Sequence, residues 1–123
     1  MTVDVYIGFC GNASKEDAYE LTHLADFIKK ECDVFVQIER EKPGSGVKNG
    51  GLAVGIAITN LMVTSIGTIF ATLAYWNSKK TKYSISVTRD NVTESIGNLD
   101  FKQYQQEIAM LPQDHRIQIN IKI

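Results

Sequence analysis

Asn49-Gly-Gly-Leu-Ala-Val-Gly-Ile-Ala-Ile-Thr-Asn-Leu-Met-Val-Thr-Ser-Ile-Gly-Thr-Ile-Phe-Ala-Thr-Leu-Ala-Tyr-Trp-Asn-Ser78 is a run of 30 residues without a charged side chain. Lys48 precedes it, and Lys79, Lys80 and Lys82 follow. As one helix it is about 45 Å long at about 1.5 Å per residue, and about 20 apolar residues suffice to cross a bilayer. The stretch is thus long enough to span, yet it lies in the middle of a chain that otherwise reads as soluble. A buried central helix, or two helices broken near Asn60 or Gly67, is the plain alternative, since core helices can be apolar all round.

The segments on either side alternate. Val3, Val5 and Ile7 predict a strand with one buried face. Ser14 with Asp17 three residues on is a short-acid form of the capping box. Behind it Ala18, Leu21, Leu24, Ala25 and Ile28 share one helical face. Val34, Val36 and Ile38 predict a second strand, which a helix of this length would lay parallel to the first. Pro43-Gly44-Ser45-Gly46 reads as a hinge. After the long stretch, Tyr83, Ile85 and Val87 predict a strand, Arg89-Asp90-Asn91 a turn, and Val92 to Ile96 a short return strand. Asp100 caps a helix with Phe101, Tyr104, Ile108 and Leu111 on one face, stopped by Pro112. Ile117, Ile119, Ile121 and Ile123 form the clearest strand. The expected fold is a single α+β domain over residues 1–123: β-α-β, a long apolar helix, then β-(β)-α-β, with a mixed sheet and helices on one face.

Composition narrows the function. A net charge of −1 and a pI near 6.1 do not suit a chain built to wrap nucleic acid. Cys10 and Cys32 lack CxxC spacing and read as buried free thiols of a cytosolic protein. The first residues carry no charged segment followed by an apolar run, so no signal peptide is expected. His23 and His115 have no partner signature, and two Cys with two His fit no zinc spacing. Gly44 to Gly50 fails both phosphate-loop patterns, because Asn49 stands where a third glycine belongs. No metal, cofactor or catalytic constellation is expected.

Inside the long stretch, Asn60, Thr64, Thr68 and Thr72 recur every four residues, one inclined stripe on a helix. Gly51 and Gly55 form a GxxxG, and Gly67 with Ala71 a small-xxx-small pair, positions that allow close helix approach in membranes. Tyr75 and Trp76 stand directly before Lys79 and Lys80, as an interfacial belt and a basic anchor would. A permanent span would separate the first two strands from the last three, and a two-strand piece is marginal alone. The helix therefore has two hosts, its own sheet or an assembly in one state and lipid in another, with Pro43, Gly44 and Gly46 as the hinge.

The order of elements resembles the effector-associated constant component family of bacterial conflict systems. The matching features run from Val3 to about Ile96: a strand, a charged helix, a strand, Pro43-Gly44, a Gly-rich apolar segment ending Leu73-Ala-Tyr-Trp76, then Lys79-Lys80 and a Val/Ile strand. Family members carry arginines after the Trp, where this chain has Asn77-Ser78-Lys79-Lys80. The resemblance implies a non-enzymatic component of antiviral defence, partnered by a trypsin-like or caspase-like protease or by an NTPase. The expected function is a cytoplasmic effector that a partner protease releases to oligomerise in the inner membrane and disrupt it. The alternative is a soluble adaptor or regulatory subunit that uses the apolar helix as its assembly interface.

Overall fold

The computed structural model describes residues 2–10, 14–40, 53–80, 82–89, 92–98, 100, 102–103, 106 and 116–122. Its elements are β1 (Thr2–Cys10), α1 (Lys15–Cys32), β2 (Gln37–Arg40), β3 (Ala53–Met62), α2 (Ile66–Lys79), β4 (Ser84–Arg89), β5 (Val92–Ser95) and β6 (Arg116–Lys122). Short 3-10 turns, Val63–Ser65 and Ile96–Asn98, follow β3 and β5. The chain is an α+β fold with a mixed six-stranded sheet in the order β2-β3-β1-β6-β4-β5.

The long apolar helix does not form. Ala53–Met62 is a strand, and only Ile66–Lys79 is helical. A continuous apolar run is compatible with either state when periodicity is absent. Here the β-branched Val54, Ile56 and Ile58, separated by small residues, suit a pleated interior strand. β3 is paired on both sides, antiparallel to β1 and to β2, so it has little use for charge. The strand gives way to the helix after Met62, and two residues before that, at a register shift with β1, Asn60 takes a left-handed φ of 56° and its N–H donates to Asp4 Oδ1 at 3.0 Å. Asn tolerates that conformation better than most residues.

β1 and β2 are not neighbours, contrary to the expected parallel pair. β3 lies between them, and β1's parallel partner is β6. This is a split β-α-β arrangement. The segment 33–36 is irregular, and β2 begins only at Gln37. The predicted hairpin is present as β4–β5. Asp100 Oδ1 accepts from Gln103 N–H at 3.1 Å, as expected of a helix cap, but Phe101, Tyr104, Ile108, Leu111 and Pro112 lie outside the described residues.

Register builds the core. Ile38, Ile56, Ile7, Ile119 and Val87 align in one row across five strands, and Ile58, Val5 and Ile117 in the next. Against this face pack Leu21, Leu24 and Ile28 of α1 and Ile66, Ile69, Phe70 and Leu73 of α2. The other face holds the rows Gln37–Ala57–Tyr6–Gln118–Thr88–Thr93 and Glu39–Gly55–Gly8–Asn120–Ser86–Ser95. Tyr6 lies flat over the two glycines, so a Cβ on Gly8 would come within 2.8 Å of its Cε1. A Cβ on Gly55 would fall 2.7 Å from Tyr6 Cζ. The Arg116 guanidinium sits 5.2 Å from the centre of that ring. Burial, then the neighbouring and hydrogen-bonded Glu39, raises the Tyr6 hydroxyl pKa.

Gly55 is therefore a close-packing position for a tyrosine rather than for a second helix. Gly55→Ala is expected to destabilise by about 1–3 kcal/mol, the usual range for overpacking. Most of that loss should vanish in a Tyr6→Ser background. Equal costs of Gly55→Ala with and without Tyr6, read from urea midpoints, would contradict the contact.

Candidate functional site

α1 and α2 lie antiparallel, as the pairs along their seam establish. Glu20 meets Lys80 at 3.0 Å, Phe27 stacks on Tyr75 with centroids 6.0 Å apart, and Cys32 Sγ lies 3.5 Å from Thr72 Oγ1. The start of α1 is thus level with the end of α2. Two clefts open along the seam. One of about 570 Å³ is lined by Lys15, Glu16, Tyr19, Glu20, Lys80, Lys82 and Tyr83. The other, of about 460 Å³, is lined by Phe27, Glu31, Thr68, Ala71, Thr72 and Tyr75.

Beside the first cleft lies a buried hydrogen-bond network that includes its lining residues Lys82 and Tyr83. Ser14 and Asp17 complete the reciprocal capping box, Asp17 N–H to Ser14 Oγ at 3.1 Å and Ser14 N–H to Asp17 Oδ2 at 2.9 Å. The other carboxylate oxygen accepts from Tyr83 Oη–H at 2.6 Å and Lys82 Nζ at 3.0 Å. Asp17 is 2% exposed, so this carboxylate is buried and fully hydrogen-bonded. The Tyr83 hydroxyl holds it well below the usual carboxylate range, against burial, with help from Ser14 and Lys82. Burial and the same hydrogen bond push the Tyr83 hydroxyl far up. The Tyr83 ring stacks on Trp76 at 5.4 Å and 13°. The capping box is legible in the sequence; its partners, 65 and 66 residues away, are not.

The outer surface of the seam is aromatic. Tyr19 is 65% and Tyr75 56% exposed. His23 is exposed and lies 4.5 Å from Tyr19, centroid to centroid. The exposed positions of α2 are Thr68, Ala71, Tyr75, Ser78 and Lys79, and only the last is charged. Solvated helix faces ordinarily carry charge.

Scans against protein-family models, curated proteins and solved structures return no match.

The residues expected to form a membrane helix are dispersed. Asn60 lies within β3, where the register with β1 shifts, Thr64 sits in a 3-10 turn, and only Thr68 and Thr72 share α2, so the four-residue stripe does not exist. Thr72 is buried and donates to Thr68 O at 2.8 Å. Gly67 is half-buried on α2. Trp76 is 6% exposed and belongs to the core, so it is no interfacial belt. Tyr75 is exposed as that reading required, but it stacks on Phe27 beneath Lys79 Nζ, which lies 5.6 Å from its ring. Lys80, the expected anchor, is paired with Glu20. Gly51 and the hinge residues Pro43, Gly44 and Gly46 lie outside the described residues. No helix among the described residues is long and apolar enough to cross a membrane. Cys10 is exposed rather than buried, and Cys32 is half-buried. Burial pushes the Cys32 thiol up, so it stays protonated near neutrality. Among the described residues no group of His, Cys, Asp and Glu is placed to hold a metal.

Proposed function

We propose that the chain is a non-catalytic assembly module, an adaptor or regulatory subunit, whose working surface is the outer face of the α1–α2 layer. The observation that carries this reading is the aromatic seam of exposed Tyr19, His23 and Tyr75 with half-buried Phe27, beside an α2 face whose one exposed charge is Lys79 at its end. Aromatic residues are enriched where proteins meet and charged ones depleted. Rigid rings supply large contact area at low entropic cost. The family resemblance adds the setting, a bacterial defence complex with a protease or an NTPase.

The membrane-disrupting effector takes second place on energetic grounds. Insertion of the 49–78 stretch would require β3 to leave its position between β1 and β2. That exposes Ala53, Ile56, Ile58 and Leu61, all buried in the core. α2 alone has 14 residues, about 21 Å of helix, against the ~30 Å of a bilayer core.

The test is co-expression with the products of the genes flanking its own. A stable complex should form and survive affinity purification. Phe27→Glu and Tyr75→Glu should weaken it at least about tenfold, or about 1.4 kcal/mol, with an unchanged circular dichroism spectrum. A complex indifferent to both substitutions would place assembly elsewhere on the chain.

A further inference from the structure

The α1–α2 face carries a charge pattern that selects its own occupant. At the level of the first cleft the α1 wall carries two acids with Lys15 at its start, and the only charges on the opposite wall are lysines. Glu16 and Glu20 belong to α1, while Lys80 and Lys82 follow the end of α2. Glu20 and Lys80 face each other across the seam at 3.0 Å and keep 29% and 40% side-chain exposure, so both still present charge outward. Further along, the wall of α1 carries Phe27 and Glu31, and that of α2 carries Thr68, Ala71 and Tyr75.

A two-fold axis laid along the seam exchanges the walls without shifting their level. It places α1 of one copy over α2 of the other, antiparallel. Glu16 and Glu20 then lie over the partner copy's lysine-bearing wall, and its acids over Lys80. The aromatic wall, Tyr19 to Phe27, lies over the Ala71–Tyr75 face, whose small residues allow close approach. Glu31 comes opposite the exposed hydroxyl of Thr68. A foreign helix would need this quadrupole built into it; a second copy of the chain has it by symmetry, which is what an isologous interface demands.

We infer that the occupant of the α1–α2 face is a second copy of this chain, packed about a two-fold axis parallel to the seam. This rests on the assembly reading above and names its partner. The footprint is about 27 by 20 Å, from the length of α1 and the usual helix spacing. That is at the small end for specific interfaces and fits a Kd on the order of micromolar.

Sedimentation equilibrium of the full chain across the micromolar range tests the inference. The expected result is a monomer–dimer equilibrium that Tyr75→Glu and Phe27→Glu each weaken at least about tenfold. Charge reversal supplies a control that folding defects cannot imitate. Glu20→Lys alone and Lys80→Glu alone should each weaken self-association, because like charges then oppose across the two-fold. Mixed in equal amounts, the two variants should form a heterodimer tighter than either homodimer, although each retains its own disrupted intrachain pair. A wild-type chain that stays monomeric to millimolar concentration overturns the inference, as does a mixture that associates no better than its components. Assembly with a flanking-gene product that still depends on Phe27 and Tyr75 would then leave the assembly reading standing, whereas indifference in both experiments sinks both.

Discussion

Replacing Trp76 with alanine should destabilise the fold by about 3–5 kcal/mol, the range for deleting a buried aromatic. The indole is 6% exposed and stacked on Tyr83. Its loss opens a cavity between the end of α2 and the start of β4, and also removes the surface that holds the Tyr83 ring over Asp17. The neighbouring Tyr75→Ala should cost far less, about 1 kcal/mol or below, because that ring is 56% exposed. Trp76 is the only tryptophan of the chain, so its fluorescence isolates this site. Emission should be blue-shifted and resistant to acrylamide, and both properties should disappear cooperatively with urea. Equal costs at 75 and 76, or a solvent-like emission in the native protein, would refute the assignment of Trp76 to the core.

Asp17→Ala should be nearly as damaging, at about 2–4 kcal/mol. It removes the reciprocal helix cap, worth about 1 kcal/mol. It also leaves the buried Tyr83 hydroxyl without its acceptor, which costs about 1–3 kcal/mol. Lys82 is 54% exposed and can return to water, so its loss adds little. Tyr83→Phe should cost less than Asp17→Ala, and the double variant less than the sum, because the two groups share one hydrogen bond. The pH dependence follows from the depressed folded-state pKa of Asp17. Its unfolded-state pKa is about 4, so its stabilisation is complete above about pH 5. It is lost as the pH falls below that, because the unfolded carboxylate then takes a proton that the folded one refuses. Urea midpoints at pH 7 and pH 3.5 should differ more in the wild type than in Asp17→Asn. A variant with the same acid limb as the wild type would mean that other carboxylates carry it.

By itself the sequence determined the local elements. Alternation marked β1, the β4–β5 hairpin and β6, because a half-buried strand must place every second side chain in the core. Ser14 and Asp17 marked the start of α1, because a helix leaves its first N–H groups without intrahelical partners. Tertiary structure decided the stretch from Asn49 to Ser78. Charge patterning does not distinguish a strand from a helix in a run without charges, and the β-branched alternation of Val54, Ile56 and Ile58 is the local sign that favours a strand there. The places beside β1 and β2 took Ala53–Met62 into the sheet, and Tyr6 found room over Gly55. The remaining half was left as a helix of 14 residues that covers the core on one face and exposes the other, which carries no charge before Lys79. The candidate site was illegible for the same reason. Glu20 with Lys80, Phe27 with Tyr75 and Asp17 with Tyr83 are each separated by 48 residues or more, and only the packing of α1 against α2 brings them level. Of the residues that read as a polar stripe only Thr68 and Thr72 reach the seam between the two helices, and the charges along that seam came into pattern only when the chain folded.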